Sequence, residues 1–272
     1  MTTLGLTERG GQPAWIVTGA PSPAAAPDHG FAQGLTELAA AARAGRGGGV
    51  AEVSGGGTWL APFGGTKIMC VGRNYRPHAE ELGNPVPQQP LWFTKPPSSL
   101  VGHGGTVRLP AGFGRIDYEG EVAVLLGQRC RQASRAEAAA AVVGITAALD
   151  ITARELQKAD GQWTRAKGFD TFCPLGPVWQ AAPDPGQWGE ITVRTVVNDK
   201  VVQHDRLASL IFSIPELIEH LSACMTLEPG DVILTGTPAG VGPLAAGDRV
   251  RVELGGPVTM TLAVAVSAAR TD

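Results

Sequence analysis

Apolar positions follow different periods in different parts of the chain, and the changes of period divide it into elements. Near the start, two short runs either side of Gly10-Gly11 predict a hairpin over residues 1–20. A Pro/Ala-rich stretch, residues 20–28, leads to Phe31, Leu35 and Leu38 at helical spacing. Residues 45–57 are Gly-rich and small, the composition of a linker. Beyond them the pattern becomes a series of short apolar runs, residues 67–71, 91–95, 122–126, 145–149 and 231–235, which predict buried strands. Helix starts are marked by polar chemistry. Ser134 with Glu137 and Ser213 with Glu216 are spaced as capping boxes, and Pro215 sits at a first helical position. Gly144 is expected to end the first of these helices. Residues 76–83, with Pro near the start and Gly at the stop, predict a short helix, and so do residues 151–158. Residues 190–197 and 201–202 flank a turn at Asn198-Asp199, and two closing strands over 248–254 and 258–266 complete an antiparallel pattern. The fold class is therefore mixed and β-rich with few short helices. A small N-terminal unit with its linker (1–66) precedes a main domain (67–272).

Composition narrows the function classes. Of 272 residues, 43% are hydrophobic and 17% charged, which suits a soluble globular protein with a sizeable core. Lys and Arg number 22 against 25 Asp and Glu, and no basic run exists, so nucleic acid and acidic membrane surfaces are not expected partners. No apolar stretch reaches the length of a membrane span, and no basic-then-apolar leader is visible, so a cytoplasmic location is expected. The four cysteines, Cys70, Cys130, Cys173 and Cys224, form no C-x-x-C pair and read as small buried apolar residues in a reducing compartment.

The chemistry gathers around Asp117-Tyr118-Glu119-Gly120-Glu121. Side chains alternate on a strand, so Glu119 and Glu121 share a face, and Asp150 ends a second apolar run that can lie beside the first. Three close carboxylates repel unless a cation sits between them. With oxygen ligands only, that cation is expected to be Mg²⁺, Mn²⁺ or Ca²⁺. His78 and Glu81 fall on one face of the short helix, where the carboxylate can fix the imidazole tautomer. That helix is too short to be stable alone and is a candidate lid. Arg154 and Gln157 lie one turn apart, close to the expected metal. Residues 160–174 lack periodicity yet carry many large side chains, and Lys167 among them can neutralise an anion. The glycine-rich loop 236–243 can turn backbone N–H groups toward an anion, with Thr237 adding a hydroxyl.

Taken together, several segments resemble the fumarylacetoacetate hydrolase family, especially its acylpyruvase-like and 2-hydroxyhepta-2,4-diene-1,7-dioate isomerase-like members. They are Cys70-Val-Gly-Arg-Asn-Tyr with His78 and Glu81, Phe93-Thr-Lys-Pro, Tyr118-Glu-Gly-Glu, Leu149-Asp-Ile-Thr-Ala-Arg with Gln157, Trp163-Thr-Arg-Ala-Lys and Leu234-Thr-Gly-Thr-Pro-Ala-Gly-Val-Gly-Pro. They span about residues 67 to 266 in the family's order, leaving 1–66 as a variable addition. The resemblance implies a β-roll around a central site, assembled as a homodimer. It implies that Glu119, Glu121 and Asp150 hold Mg²⁺ or Mn²⁺, that His78 is a general base oriented by Glu81, and that Lys167 stabilises a developing enolate. Arg154, Gln157 and Thr237 would bind the oxo-acid substrate. The activity implied first is hydrolysis of a C–C bond in a 2,4-dioxo acid, an acylpyruvate or fumarylpyruvate, through a metal-stabilised enolate. Decarboxylation of oxaloacetate and isomerisation of an unsaturated dicarboxylic 2-oxo acid in aromatic catabolism use the same site and remain open. A non-catalytic metal-binding relative fits less well, because binding needs no water-activating dyad.

Overall fold

The structure, a computed structural model, describes residues 2–9, 12–18, 31–44, 49–50, 59–81, 83 and 85–269. Among them the apolar runs become a ten-stranded sheet. Its main path runs Gln12–Thr18, Thr3–Arg9, Cys173–Ala181, Val142–Leu149, Gly120–Leu126, Val232–Leu234, Ile68–Gly72 and Leu91–Lys95. All residues of Gly120–Leu126, Val142–Leu149 and Cys173–Ala181 are buried, which is why the first two contain continuous apolar runs, while Pro174, Gly176 and Pro177 interrupt the third. Successive side chains enter opposite cores. Ala123 and Leu125 pack with Leu35 and Leu38 of the helix Phe31–Arg43 on one face. Val122, Val124 and Leu126 pack with Val193, Val252 and Leu262 on the other.

The residues of that second core come from a six-stranded sheet. Its path is Lys200–Arg206, Thr192–Val197, Arg249–Gly255, Val258–Ala268 and Gly49–Val50, with Thr106–Leu109 beside Val258–Ala268. Here burial alternates along Arg249–Gly255 and Val258–Ala268, as it must where one face meets the core and the other is more open. Asn198 and Asp199 both adopt left-handed backbone (φ 47° and 67°), the geometry of the expected tight hairpin. A small third sheet pairs Thr152–Ala153, Ile116–Tyr118 and Gly242–Pro243, and its central strand leads through Glu119 directly into Gly120–Leu126.

The expected N-terminal hairpin forms, and its first strand pairs antiparallel with Cys173–Ala181 (Thr3↔Gln180, Leu4↔Trp179). Backbone pairing thus crosses the boundary drawn at residue 66. Gly10-Gly11, residues 20–28, most of 45–57 and Leu82 lie outside the described residues. Gly49–Val50, inside the expected linker, pairs parallel with Val258–Ala268.

Three local expectations are corrected. The capping box of Ser134 and Glu137 starts a helix that ends at Ala141, and Gly144 lies inside the following strand. A Cβ there would come within 2.9 Å of Leu38, so this glycine lets helix Phe31–Arg43 approach the sheet. Residues 160–174 contain the short helix Thr164–Lys167 and the start of the buried strand Cys173–Ala181, whose prolines and glycine hid it. Cys224 is exposed, while Cys70, Cys130 and Cys173 are buried free thiols.

Candidate active site

Glu119 stands where the chain leaves Ile116–Tyr118 and enters Gly120–Leu126. Its carbonyl accepts a hydrogen bond from Asp150 N (2.8 Å), and Gly120 pairs with Leu149. This register brings the end of the 142–149 strand against the acidic run. One carboxylate oxygen from each of Glu119, Glu121 and Asp150 lies within 4.8 Å of the others, and all three residues are buried. Gly120 between them is required by contact, because a Cβ there would meet Thr195 Oγ1 at 1.9 Å.

Three buried cations surround the acids. Lys167 Nζ donates to Glu119 Oε2 (2.8 Å) and Asp150 Oδ2 (2.6 Å). Lys95 Nζ lies 2.7 Å from Asp150 Oδ1 and donates to the carbonyls of Ile151, Lys167 and Phe172. Arg154 donates through Nε to Asp117 (2.7 Å) and through Nη1 to Gln157 (2.8 Å), while Nη2 stands 2.6 Å from Glu119 Oε1. Burial opposes ionisation of Glu119, but Lys167 and Arg154 outweigh it and hold its pKa well below the usual carboxylate range. Burial likewise opposes the charge on Lys167, and Asp150 with Glu119 reverses that.

Glu121 is the exception. Its carboxylate accepts a hydrogen bond from Gly236 N (2.7 Å), and burial, together with Asp150 and Glu119, pushes its pKa well above the normal value. A buried carboxylate raised by two like charges, within an all-oxygen donor set, fits a hard divalent cation held by Glu119, Glu121 and Asp150.

His78 and Glu81 meet on the helix Arg76–Glu81, with Nδ1 3.3 Å from Glu81 Oε2. Gly240 N donates to both oxygens of Glu81 (3.0 and 3.1 Å), so the glycine-rich loop does direct amides at carboxylates, those of Glu81 and Glu121. Burial lowers the pKa of His78, leaving the ring neutral near pH 7.

A cavity of about 520 Å³ is lined by every sequence-expected site residue except Asp150: His78, Glu81, Glu119, Glu121, Arg154, Gln157, Lys167 and Thr237. Asp150 lies beneath it, 1% exposed. Thr237 donates to Gly120 O (2.9 Å) and accepts from buried Gln203 Nε2 (2.8 Å). Its hydroxyl is thus engaged by protein, as is the guanidinium of Arg154. Sequence reasoning missed Lys95, Asp117, Gln203 and Arg73. A lysine ending the apolar strand Leu91–Lys95 was the visible signal for the first. Asp117 was read as part of the acidic run, and Gln203 carried no signal.

A family model described as "Fumarylacetoacetate (FAA) hydrolase C-terminal" matches residues 67–265. An "Uncharacterized protein" of Archaeoglobus fulgidus is 49% identical over 196 residues, covering 72% of this chain and 77% of its own. "Oxaloacetate tautomerase FAHD1, mitochondrial" of Arabidopsis thaliana is 44% identical over 198 residues, covering 71% and 87%. Among solved structures, the chain is similar to 5-carboxymethyl-2-hydroxymuconate delta-isomerase from Mycobacterium smegmatis, with TM-score 0.79 and 36% identity over 99% of this chain and 100% of that one.

Proposed function

The chain belongs to the fumarylacetoacetate hydrolase family, and from that premise we propose that it interconverts the keto and enol forms of a short 2-oxo acid of the oxaloacetate type. The observation that carries this reading is a buried, neutral His78 lining the same cavity as Glu119 and Glu121. Glu81 accepts the Nδ1–H and leaves the Nε2 lone pair free as a base. Nε2 takes a proton from C3 of the oxo acid, the C–H electrons form the C2–C3 double bond, and charge moves onto the 2-oxygen. Return of that proton to oxygen instead of carbon completes the tautomerisation. Mg²⁺ held by Glu119, Glu121 and Asp150 would supply Lewis-acid stabilisation of the enolate charge. Lys167, already bound to Glu119 and Asp150, adds a fixed positive charge at the same place. The relative named for oxaloacetate tautomerisation supports this choice of substrate.

A second reading, hydrolysis of a 2,4-dioxo acid with His78 activating water, is favoured by the size of the cavity. About 520 Å³ is more than a four-carbon acid fills. Both readings are tested by following decay of enol-oxaloacetate and release of pyruvate from acetylpyruvate and fumarylpyruvate, each with Mg²⁺ and with EDTA. Mg²⁺-dependent acceleration of the enol decay alone supports tautomerisation. Pyruvate release from a dioxo acid moves the assignment to hydrolysis, and activity undiminished by EDTA sinks the metal-dependent mechanism.

A further inference from the structure

The cations expected to grip an anionic substrate are mostly engaged by the protein itself. Arg154 is taken by Asp117, Glu119 and Gln157, and Lys167 by Glu119 and Asp150. Arg73 differs. It lines the cavity half-buried, where the other unengaged cation, Lys158, is exposed, and among the described residues no carboxylate pairs with either. Its guanidinium stands over the Trp163 ring, 5.5 Å from the centroid. Partial burial without a compensating anion lowers its pKa from the ordinary arginine value.

The local backbone is built to present this side chain. Arg73 follows the strand Ile68–Gly72 in left-handed conformation (φ 56°), which is uncommon for a residue with a Cβ. Asn74 fixes the turn, donating to the carbonyls of Phe212 (3.1 Å) and Thr235 (2.8 Å) and accepting from Phe212 N (2.8 Å). Gly72 makes room for the indole, since a Cβ there would lie 2.5 Å from Trp163 Cζ3. Trp163 packs edge-on against Phe93, whose other neighbour is Lys167 Nζ, 4.9 Å from the Phe93 centroid. Two aromatic rings therefore separate the inner cation, beside the carboxylates, from the outer one.

The geometry points to Arg73 as the residue that takes the remote carboxylate of a dicarboxylic 2-oxo acid, and so selects dicarboxylic over monocarboxylic ligands. The inference rests on the proposed function, in which the 2-oxo acid head lies against Glu119, Glu121 and Asp150. Its fork suits a carboxylate, and the Trp163 ring fixes the guanidinium plane.

The test is calorimetric titration of the protein in Mg²⁺ with 2-oxoglutarate and with 2-oxobutyrate, which share a head and differ in the remote carboxylate. Wild type is expected to prefer 2-oxoglutarate. Arg73→Gln should lower 2-oxoglutarate affinity by about 10- to 100-fold, the size of one charge-assisted contact, with less than about a threefold change for 2-oxobutyrate. Arg73→Lys, which keeps the charge without the fork, should retain part of the preference and shows that the turn still folds. An undiminished preference for 2-oxoglutarate in Arg73→Gln, or equal losses for both acids, overturns the assignment alone. Failure of both acids to bind the wild type overturns the proposed function and this assignment with it.

Discussion

Glu119 and Glu121 stand two residues apart in one buried cluster, yet they should respond in opposite ways to the same substitution. Glu119 is held between Lys167 (2.8 Å) and Arg154 (2.6 Å), and its pKa is depressed. A carboxylate of this kind contributes stability above its unfolded pKa of about 4.3, and the contribution is lost as pH falls through the folded value. Glu119→Gln removes the charge those cations face, and breaking a buried pair costs about 3–5 kcal/mol. Glu121 has a raised pKa because burial and two neighbouring carboxylates oppose its charge. Its contribution is fully present below about pH 4.3 and is lost as pH rises toward the folded value, so at pH 7 the metal-free protein bears a cost there. Gln at 121 can still accept from Gly236 N while relieving the repulsion, so Glu121→Gln should stabilise the metal-free protein, the opposite sign to Glu119→Gln. Urea unfolding in EDTA at pH 7 measures both. In Mg²⁺ the order should change, because wild type gains stability from the ion and neither variant gains as much. Equal destabilisation by the two substitutions in EDTA would refute the claim that, of these two glutamates, Glu119 alone has cationic partners.

Four further outcomes follow from contacts elsewhere in the protein. His78→Gln should cut turnover by about 10²–10⁴-fold while leaving Mg²⁺ affinity within a few-fold, and undiminished turnover would show that another base acts. Because burial lowers the His78 pKa, the acid limb of the kcat/KM profile should fall below pH 6.5, and a limb centred higher contradicts a buried base. Lys95→Met strands three carbonyls and leaves Asp150 with Lys167 alone, at a cost of about 3–5 kcal/mol in urea unfolding; a loss under about 1 kcal/mol refutes it. Asp231, away from the cavity, accepts from the backbone N–H groups of Thr66, Lys67 and Glu228, so Asp231→Ala should cost about 3 kcal/mol without changing the KM of the folded fraction.

The parts of this fold that sequence made legible are those governed by local chemistry. Capping boxes at Ser134 and Ser213 and left-handed Asn198-Asp199 each need only neighbouring residues. The Glu119/Glu121 alternation was legible for the same reason, and Asp150 because it closes an apolar run. What was missed depends on partners distant in sequence. Gly144 resembled a helix stop because its real constraint is Leu38, over a hundred residues away. No strand was expected over Cys173–Ala181 because Pro174, Gly176 and Pro177 interrupt it, and burial between neighbouring strands overrode that local signal. The commitments of Arg154 to carboxylates and of Thr237 to neutral hydrogen bonds were also invisible, since spacing places a side chain on a face without saying which partner takes it.

Those commitments explain why the site should accept an anion only when loaded. Asp117, Glu119, Glu121 and Asp150 are buried with Lys95, Arg154 and Lys167, and exposed Arg115 adds a fourth cation on Asp117 (2.6 Å). The contacts leave Glu121 as the carboxylate with no cation within hydrogen-bonding reach. Before a metal enters, an anionic head placed beside Glu121 would meet that uncompensated carboxylate in a medium that screens it poorly. A divalent cation would supply positive charge for both Glu121 and the single carboxylate of a 2-oxo acid head. The cations of the cluster are already committed to Asp117, Glu119 and Asp150. A dicarboxylic ligand needs a cation elsewhere in the cavity, and of the guanidinium groups lining it Arg73 is the one with no carboxylate partner among the described residues.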